Sequence, residues 1–157
     1  MKLKINDWEF DIDLEATREH SSFAATDHCT CAYCENYYRG VKLCYPSLSP
    51  FLKVFGLHID GPVEMYPFEP TVYLSGYRVR GKILQFGVAP MMVEGIPVVA
   101  DPRQEEYFML EVGEMALPWL LQQDPEEVIS PANEPEFLEK MYRKRLSRDP
   151  GYNGLLS

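Results

Sequence analysis

The first fourteen residues carry the pattern that most constrains the fold, an alternation of apolar and polar side chains whose phase changes once. Leu3 and Ile5 occupy odd positions, whereas the apolar residues from Trp8 onward occupy even positions. Such a change is expected where a two-residue turn, here at residues 6–7, joins two antiparallel strands. The resulting register pairs Ile5 with Trp8, Leu3 with Phe10, Met1 with Ile12, Lys4 with Glu9, and Lys2 with Asp11. The apolar members then share one face and the oppositely charged pairs share the other, which predicts a hairpin.

After the hairpin, a polar stretch is followed by two short helices. Residues 16–28 show no stable period, which predicts either a surface connection or a weak helix. From Cys31 to Val41 apolar residues recur at helical spacing. A second short helix is expected between Pro46 and Gly56, with Ser47 or Ser49 as its N-cap, Pro50 in its first turn and Gly56 as its C-cap. The side chains expected to be buried in that second helix are Leu52, Val54 and Phe55.

From Thr71 the chain becomes rich in β-branched and aromatic residues. Gly76 and Gly81 interrupt this part and predict turns or bulges between short strands. The expected strands are 71–74, 77–80, 82–86, 96–100 and 106–112. The stretch after Asn133 has apolar residues at helical spacing, acidic residues first and basic residues last, so we predict a C-terminal helix there.

These elements together predict an α+β fold. We expect a single antiparallel sheet of about six or seven strands, with an N-terminal hairpin, two short helices after residue 31, and a C-terminal helix packed on one face. A length of 157 residues suits one domain that buries its own core. We therefore expect one domain over residues 1–157, of which 150–157 form a short tail.

The charge of the chain excludes some classes of partner. The formal net charge is −9, from 15 basic and 24 acidic residues. Nucleic-acid binding requires positive charge against phosphates, so we expect no nucleic-acid partner, and anionic membranes are disfavoured for the same reason. The sequence begins without the apolar run of a signal peptide and has no apolar run of membrane-spanning length. We therefore expect a cytoplasmic protein.

All four cysteines lie close together in the sequence, at positions 29, 31, 34 and 44. In a reducing compartment, thiols or metal ligands are expected rather than disulfides. The spacing of Cys31 and Cys34 allows two thiolates to bind one ion, and a tetrahedral zinc site takes four such ligands. Cys29 and Cys44 are the candidates that add to this pair, with His28 as a substitute ligand. The cofactor that these residues predict is a structural zinc ion.

Three features leave other interpretations of the cysteines open. Cys44 follows Cys34 by ten residues, which is about 15 Å along a continuous helix, and at that distance Cys44 cannot complete the site. Cysteine is also frequently buried as an inert thiol. Finally, a Cys-x-x-Cys pair at the start of a helix is compatible with redox chemistry.

A set of short motifs extends from residue 27 to residue 121. The set comprises Asp27-x-Cys29-x-Cys31-x-x-Cys34-x-Asn36-Tyr37, Phe51-Leu52 with Phe55-Gly56-Leu57, Gly76-Tyr77 with Gly81, and Leu117-Pro118-Trp119-Leu120. It resembles a family of uncharacterised bacterial proteins that carry a Cys-x-Cys-x-x-Cys-x-Asn signature. The resemblance implies a single bacterial domain, and it implies no activity.

The sequence contains no familiar catalytic motif, and its three histidines are scattered. We therefore assign no catalytic residue and expect a non-enzymatic binding or protein-interaction module. Its partner would be a protein or a small ligand, and an acidic module could act as an inhibitor or immunity-like partner of a basic protein. The twenty aromatic residues either line a ligand groove or fill the core. The alternative function is a zinc-binding or thiol-redox protein that acts through Cys29, Cys31 and Cys34.

Overall fold

A computed structural model of the chain describes residues 1–69 and 71–122 and arranges them as seven strands and three helices. The elements are β1 (Lys2–Ile5), β2 (Trp8–Ile12), α1 (Leu14–Thr26), α2 (Ala32–Cys44), α3 (Leu48–Val54), β3 (Glu64–Glu69), β4 (Val72–Gln85), β5 (Met91–Val93), β6 (Ile96–Gln104) and β7 (Tyr107–Ala116). This confirms the predicted α+β class with one antiparallel sheet. The predicted C-terminal helix and the 150–157 tail lie outside the described residues.

The N-terminal hairpin has the predicted register. Leu3 lies opposite Phe10 and Ile5 lies opposite Trp8. The pairing extends to Met1, whose carbonyl accepts a 2.8 Å hydrogen bond from the Ile12 N–H. The side chains of β2 at Trp8, Phe10 and Ile12 are buried in the main core. The local alternation of the sequence therefore determines which face of the hairpin packs inward.

The sheet is organised around β4, and the strand order is β1-β2-β4-β7-β6-β5, with β3 also paired to β4. The prediction that Gly76 and Gly81 divide this part into separate short strands is wrong, because β4 runs through both glycines as one strand. At Gly81 the strand passes from β7 to β2. A Cβ atom there would lie 2.2 Å from the Asp11 carbonyl oxygen, so glycine permits the close approach of β2.

Strands β6 and β7 are longer than predicted, and β3 and β5 were not predicted. The expected connection at residues 101–103 is part of β6, which continues to Gln104. Arg103 on this extension hydrogen-bonds to Asp101 at 2.7 Å and also reaches Glu64 on β3 and Glu111 on β7. These half-buried contacts link three strands, and they involve residues that are far apart in the sequence.

The helices match the predicted order. Of the two alternatives for residues 16–28, the helix is found, as α1, which begins at Leu14 and ends at Thr26. Asp13 caps it by accepting a 3.0 Å hydrogen bond from the Ala16 N–H. In α3, Leu52 and the following Phe55 are buried as predicted, whereas Val54 is 44% exposed. A seven-residue helix buries only one face, and Val54 lies off that face.

Helix α2 is held on the sheet by a buried network of hydroxyl groups. The Tyr37 hydroxyl lies 2.7 Å from the Tyr77 hydroxyl and 2.9 Å from Ser75 Oγ, and both partners are on β4. The Tyr77 hydroxyl donates to the Ile59 carbonyl at 2.7 Å. Tyr37, Tyr73 and Tyr77 are fully buried, so these aromatic residues fill the core rather than a surface groove. The same network fixes the helix that carries the cysteines.

Candidate metal centre

Three of the four cysteines meet where α2 begins. The sulfur atoms of Cys29, Cys31 and Cys34 all lie within 4.8 Å of one another. Cys31 is the N-cap of α2 and Cys34 follows one turn later, so both side chains emerge on the same side of the helix. Cys29 joins them from the irregular connection between α1 and α2. The predicted trio is therefore assembled by local geometry.

Contacts from α2 fold the connection back onto the helix. The Cys31 N–H donates to Cys29 Sγ at 3.5 Å. The Tyr38 hydroxyl donates to the Cys29 carbonyl at 3.1 Å, and His28 Nδ1 lies 3.1 Å from the same oxygen. The rings of His28 and Tyr38 are 4.1 Å apart between centroids. Tyr38 thus orients the segment that presents the first cysteine.

The three thiols differ in burial and in acidity. Cys34 is buried, whereas Cys29 and Cys31 are exposed. A hydrogen bond from the Cys34 thiol is the main reason that the pKa of Cys31 is lowered to about 5. The same hydrogen bond, together with burial, raises the pKa of Cys34 far above its usual range. The thiolate of Cys31 is therefore favoured without a cation, whereas a thiolate at Cys34 needs a positive charge beside it.

The cluster lies in the wall of a cavity of about 620 Å³ between α1, the start of α2 and β3. Its wall also includes Phe23, Asp27, His28, Tyr38, Glu64 and Met65. Within residues 1–69 and 71–122, no lysine or arginine lines it. A cation bound by the cysteines would therefore have no lysine or arginine of this wall to compete with it.

The structure does not bring Cys44 to this cluster. Cys44 is the last residue of α2 and is exposed. Because α2 is continuous, ten residues separate Cys34 from Cys44 by about 15 Å. His28, the predicted substitute ligand, lines the cavity beside Cys29, and His20 lines it from α1. The cavity wall that carries the three sulfurs thus includes two histidines and does not include the fourth cysteine.

The opposite wall of the cavity was missed by sequence reasoning. Glu64 and Met65 belong to β3, which starts thirty residues after Cys34. The only signal for this strand was the run Met65-Tyr66-Pro67-Phe68, whose proline argues against a strand. No spacing rule connects this segment to the cysteines, so its place in the wall depends on the sheet.

Comparison with family models, curated proteins and solved structures found no match for this chain. The resemblance to a bacterial family with the Cys-x-Cys-x-x-Cys-x-Asn signature therefore stays a prediction. No helix in the described parts of the chain has the length and apolar character that a membrane crossing requires. The site geometry is consequently the main basis for assigning a function.

Proposed function

We propose that this protein is a zinc-binding domain in which Cys29, Cys31 and Cys34 hold one ion. The observation that carries the proposal is the convergence of three sulfur atoms within 4.8 Å of one another. Zn–S bonds of about 2.3 Å at tetrahedral angles place sulfur atoms about 3.8 Å apart. Small changes of rotamer are enough to reach that separation. Thiolate ligands also favour zinc over magnesium or calcium.

The fourth ligand in this proposal comes from the cavity side. His28 is the nearest candidate in the chain, because it precedes Cys29 directly and lines the same cavity. To coordinate through Nδ1, its ring must leave the Cys29 carbonyl that now lies 3.1 Å away. A water molecule is the other candidate, as in zinc sites with three protein ligands.

The role that we propose for the ion is to hold the α1–α2 connection against α2. Cys29 belongs to that connection, whereas Cys34 belongs to the helix, so one ion would cross-link the two. Metal binding of this kind contributes to folding free energy, because the unfolded chain has no preformed site. Zinc held by reduced thiolates also suits the cytoplasm, where we place the protein.

The test is the metal content of protein purified without a metal-chelating column. We expect about one zinc per chain in the unmodified protein and a large loss in Cys31→Ser and Cys34→Ser. Cys44→Ser is the matched control and should keep its zinc, because Cys44 lies at the far end of α2. A chelator should lower the melting temperature of the unmodified protein. Metal-free protein with an unchanged melting temperature would refute the proposal.

A second candidate, thiol–disulfide exchange, is supported by the contrast between exposed Cys31 at the helix N-cap and buried Cys34 one turn later. The Cys31 thiolate would attack a substrate disulfide and release one substrate thiol. Cys34 would then attack the mixed disulfide at the Cys31 sulfur, lose its proton to solvent and release the second thiol. Two electrons thus pass from the cysteine pair to the substrate.

Oxidised glutathione is a suitable probe of this second candidate. Metal-free protein should form an internal Cys31–Cys34 disulfide, whereas Cys34→Ser should accumulate the mixed disulfide with glutathione on Cys31. Cys44→Ser should behave like the unmodified protein. Equal glutathionylation of all four cysteines, without an internal disulfide, would exclude exchange at this pair.

The predicted interaction module also remains a proposal, and it is compatible with a structural zinc. Its support is the net charge of −9 and three exposed apolar side chains near the end of β4. Leu84, Phe86 and Val88 are 49%, 56% and 95% exposed. Pull-down from the source cell at low and moderate salt tests for a basic partner, whose binding should weaken as salt increases. Absence of any salt-sensitive partner would leave the interaction proposal without support.

A further inference from the structure

A second cavity, of about 300 Å³, lies between α1, the middle of β4 and the adjoining ends of β6 and β7. Unlike the cysteine-lined cavity, it is lined by two arginines, Arg78 and Arg80. The chain has only 15 basic residues against 24 acidic ones, so two neighbouring arginines in one concave site are notable. His20 of α1 lines both cavities, and it therefore separates the arginines from the cysteines.

Arg78 lacks a hydrogen-bond acceptor for a buried N–H group. Its Nε atom is buried and has no partner within the described part of the chain. Its guanidinium group lies over the ring of Tyr107, 4.5 Å from the ring centroid. The ring covers one face of the guanidinium group, so an acceptor would meet the group at its edge, where the Nε–H lies. A buried donor without a partner is unfavourable, so a ligand that supplies an acceptor gains from this arrangement.

The other polar groups of the cavity leave room for such an acceptor. Arg80 pairs with Glu106 at 2.9 Å, but both side chains are more than half exposed. Exposed ion pairs contribute little, so Arg80 can exchange Glu106 for a ligand at small cost. Burial is the main cause and the Arg78 charge a second cause of the lowered pKa of His20. His20 therefore lies close enough to Arg78 for the positive charge of the guanidinium group to affect the pKa of the imidazole.

We propose that this cavity binds a small molecule through an oxyanion group, either a carboxylate or a phosphate, with Arg78 as the principal contact. Arg80 lies next to it, and His20 faces it from α1. With Glu106 as the only acidic side chain among the described lining residues, the cavity carries a formal charge of +1 when His20 is neutral. Guanidinium groups bind both kinds of oxyanion through paired hydrogen bonds. Because 300 Å³ is at the lower end of ligand-pocket volumes, the ligand is small.

The test is calorimetric titration of the full-length protein with inorganic phosphate and, separately, with acetate. Sodium chloride keeps the ionic strength equal in both arms, so a non-specific charge effect cancels. Saturable binding of one probe supports the proposal and shows whether the group is a phosphate or a carboxylate. We expect Arg78→Gln to weaken that binding by about tenfold or more, because a charge-assisted hydrogen bond is lost.

Arg39→Gln is the matched control, because it removes the same charge from an exposed position on α2 outside this cavity. It should leave the affinity within about twofold, since a distant exposed charge is screened by salt. The proposal would be overturned if both variants weakened binding of the probe equally. It would also be overturned if neither probe showed saturable binding to the unmodified protein. If Arg78→Gln does not fold, the site is tested instead by ¹H–¹⁵N spectra of the unmodified protein, recorded with and without the probe. The largest probe-dependent shifts must then fall on His20, Arg78 and Tyr107, and shifts centred elsewhere would refute the site.

Discussion

The buried hydroxyl network under α2 allows a quantitative prediction for Tyr77→Phe. The substitution keeps the ring and removes one oxygen atom from a fully buried side chain. That oxygen donates to the Ile59 carbonyl at 2.7 Å and lies 2.7 Å from the Tyr37 hydroxyl. Tyr37 keeps a second partner in Ser75. The variant therefore loses two hydrogen bonds, and the Ile59 carbonyl loses this donor.

Each lost hydrogen bond costs about 1 kcal/mol, and leaving a buried carbonyl without its donor adds about 1 kcal/mol. We therefore expect Tyr77→Phe to lower the free energy of unfolding by about 2–3 kcal/mol. Urea denaturation followed by tryptophan fluorescence measures the change, and the slope of the transition should stay constant. A constant slope means that the two folded states bury similar surface.

Tyr45→Phe is the matched control for this prediction. The Tyr45 hydroxyl also donates to a backbone carbonyl, that of Ala116 at 2.9 Å, but this contact is exposed to solvent. Water can replace it, so we expect a loss of about 0.5 kcal/mol or less. If Tyr77→Phe costs no more than Tyr45→Phe, the network does not anchor α2, and our reasoning about the position of the cysteines is wrong.

Three further predictions concern other parts of the molecule. Arg103→Met should lower the free energy of unfolding by about 3 kcal/mol or more at pH 7, because three carboxylates, two of them buried, lose their cation. This deficit should shrink toward about pH 4, since the pKa of unpaired buried carboxylates is raised and they become protonated. In metal-free protein, alkylation of Cys31 by iodoacetamide should rise as the pH passes about 5, where its thiolate forms, and added zinc should suppress it. Gly81→Ala should prevent stable pairing of β2 with β4, measured by thermal melting, because its Cβ would overlap the Asp11 carbonyl.

Each of these predictions can fail in a distinct way. A pH-independent deficit in the Arg103 variant would mean that lost packing dominates over charge. If alkylation of Cys31 begins only at about pH 8.5, the ordinary pKa of a cysteine, then the Cys34 thiol does not stabilise the Cys31 thiolate. A melting temperature of Gly81→Ala close to that of the unmodified protein would show that β2 and β4 can move apart locally.

The predictions that succeeded depend on residues close together in the sequence. The hairpin follows from alternation across a two-residue turn, and α2 follows from helical spacing after Cys31. The trio at positions 29, 31 and 34 also assembles locally, because one helical turn brings Cys31 and Cys34 together. Tertiary contacts are not needed to anticipate these features.

The predictions that failed concern glycines and residues whose role depends on distant partners. Gly76 and Gly81 resemble turn positions in the sequence, yet both lie inside β4, where neighbouring chain segments approach closely. Cys44 has the same chemistry as the other cysteines, and the length of α2 separates it from them, as the ten-residue spacing from Cys34 indicated for a continuous helix. Residue type alone does not distinguish a turn from a close contact, or a ligand from a distant thiol.

The sequence by itself therefore determined the class of fold, the N-terminal hairpin and the nearness of three thiols, because the short-range rules of strand alternation and helical turn apply to each. Only the tertiary structure decided which residues surround those thiols and which cavity is lined by Arg78 and Arg80. Strand β3 supplies the wall opposite the cysteines, and the sheet brings Arg78 next to Tyr107. Both arrangements depend on strand pairing between distant segments, and that pairing is set by the packing of the whole core rather than by neighbours in the chain.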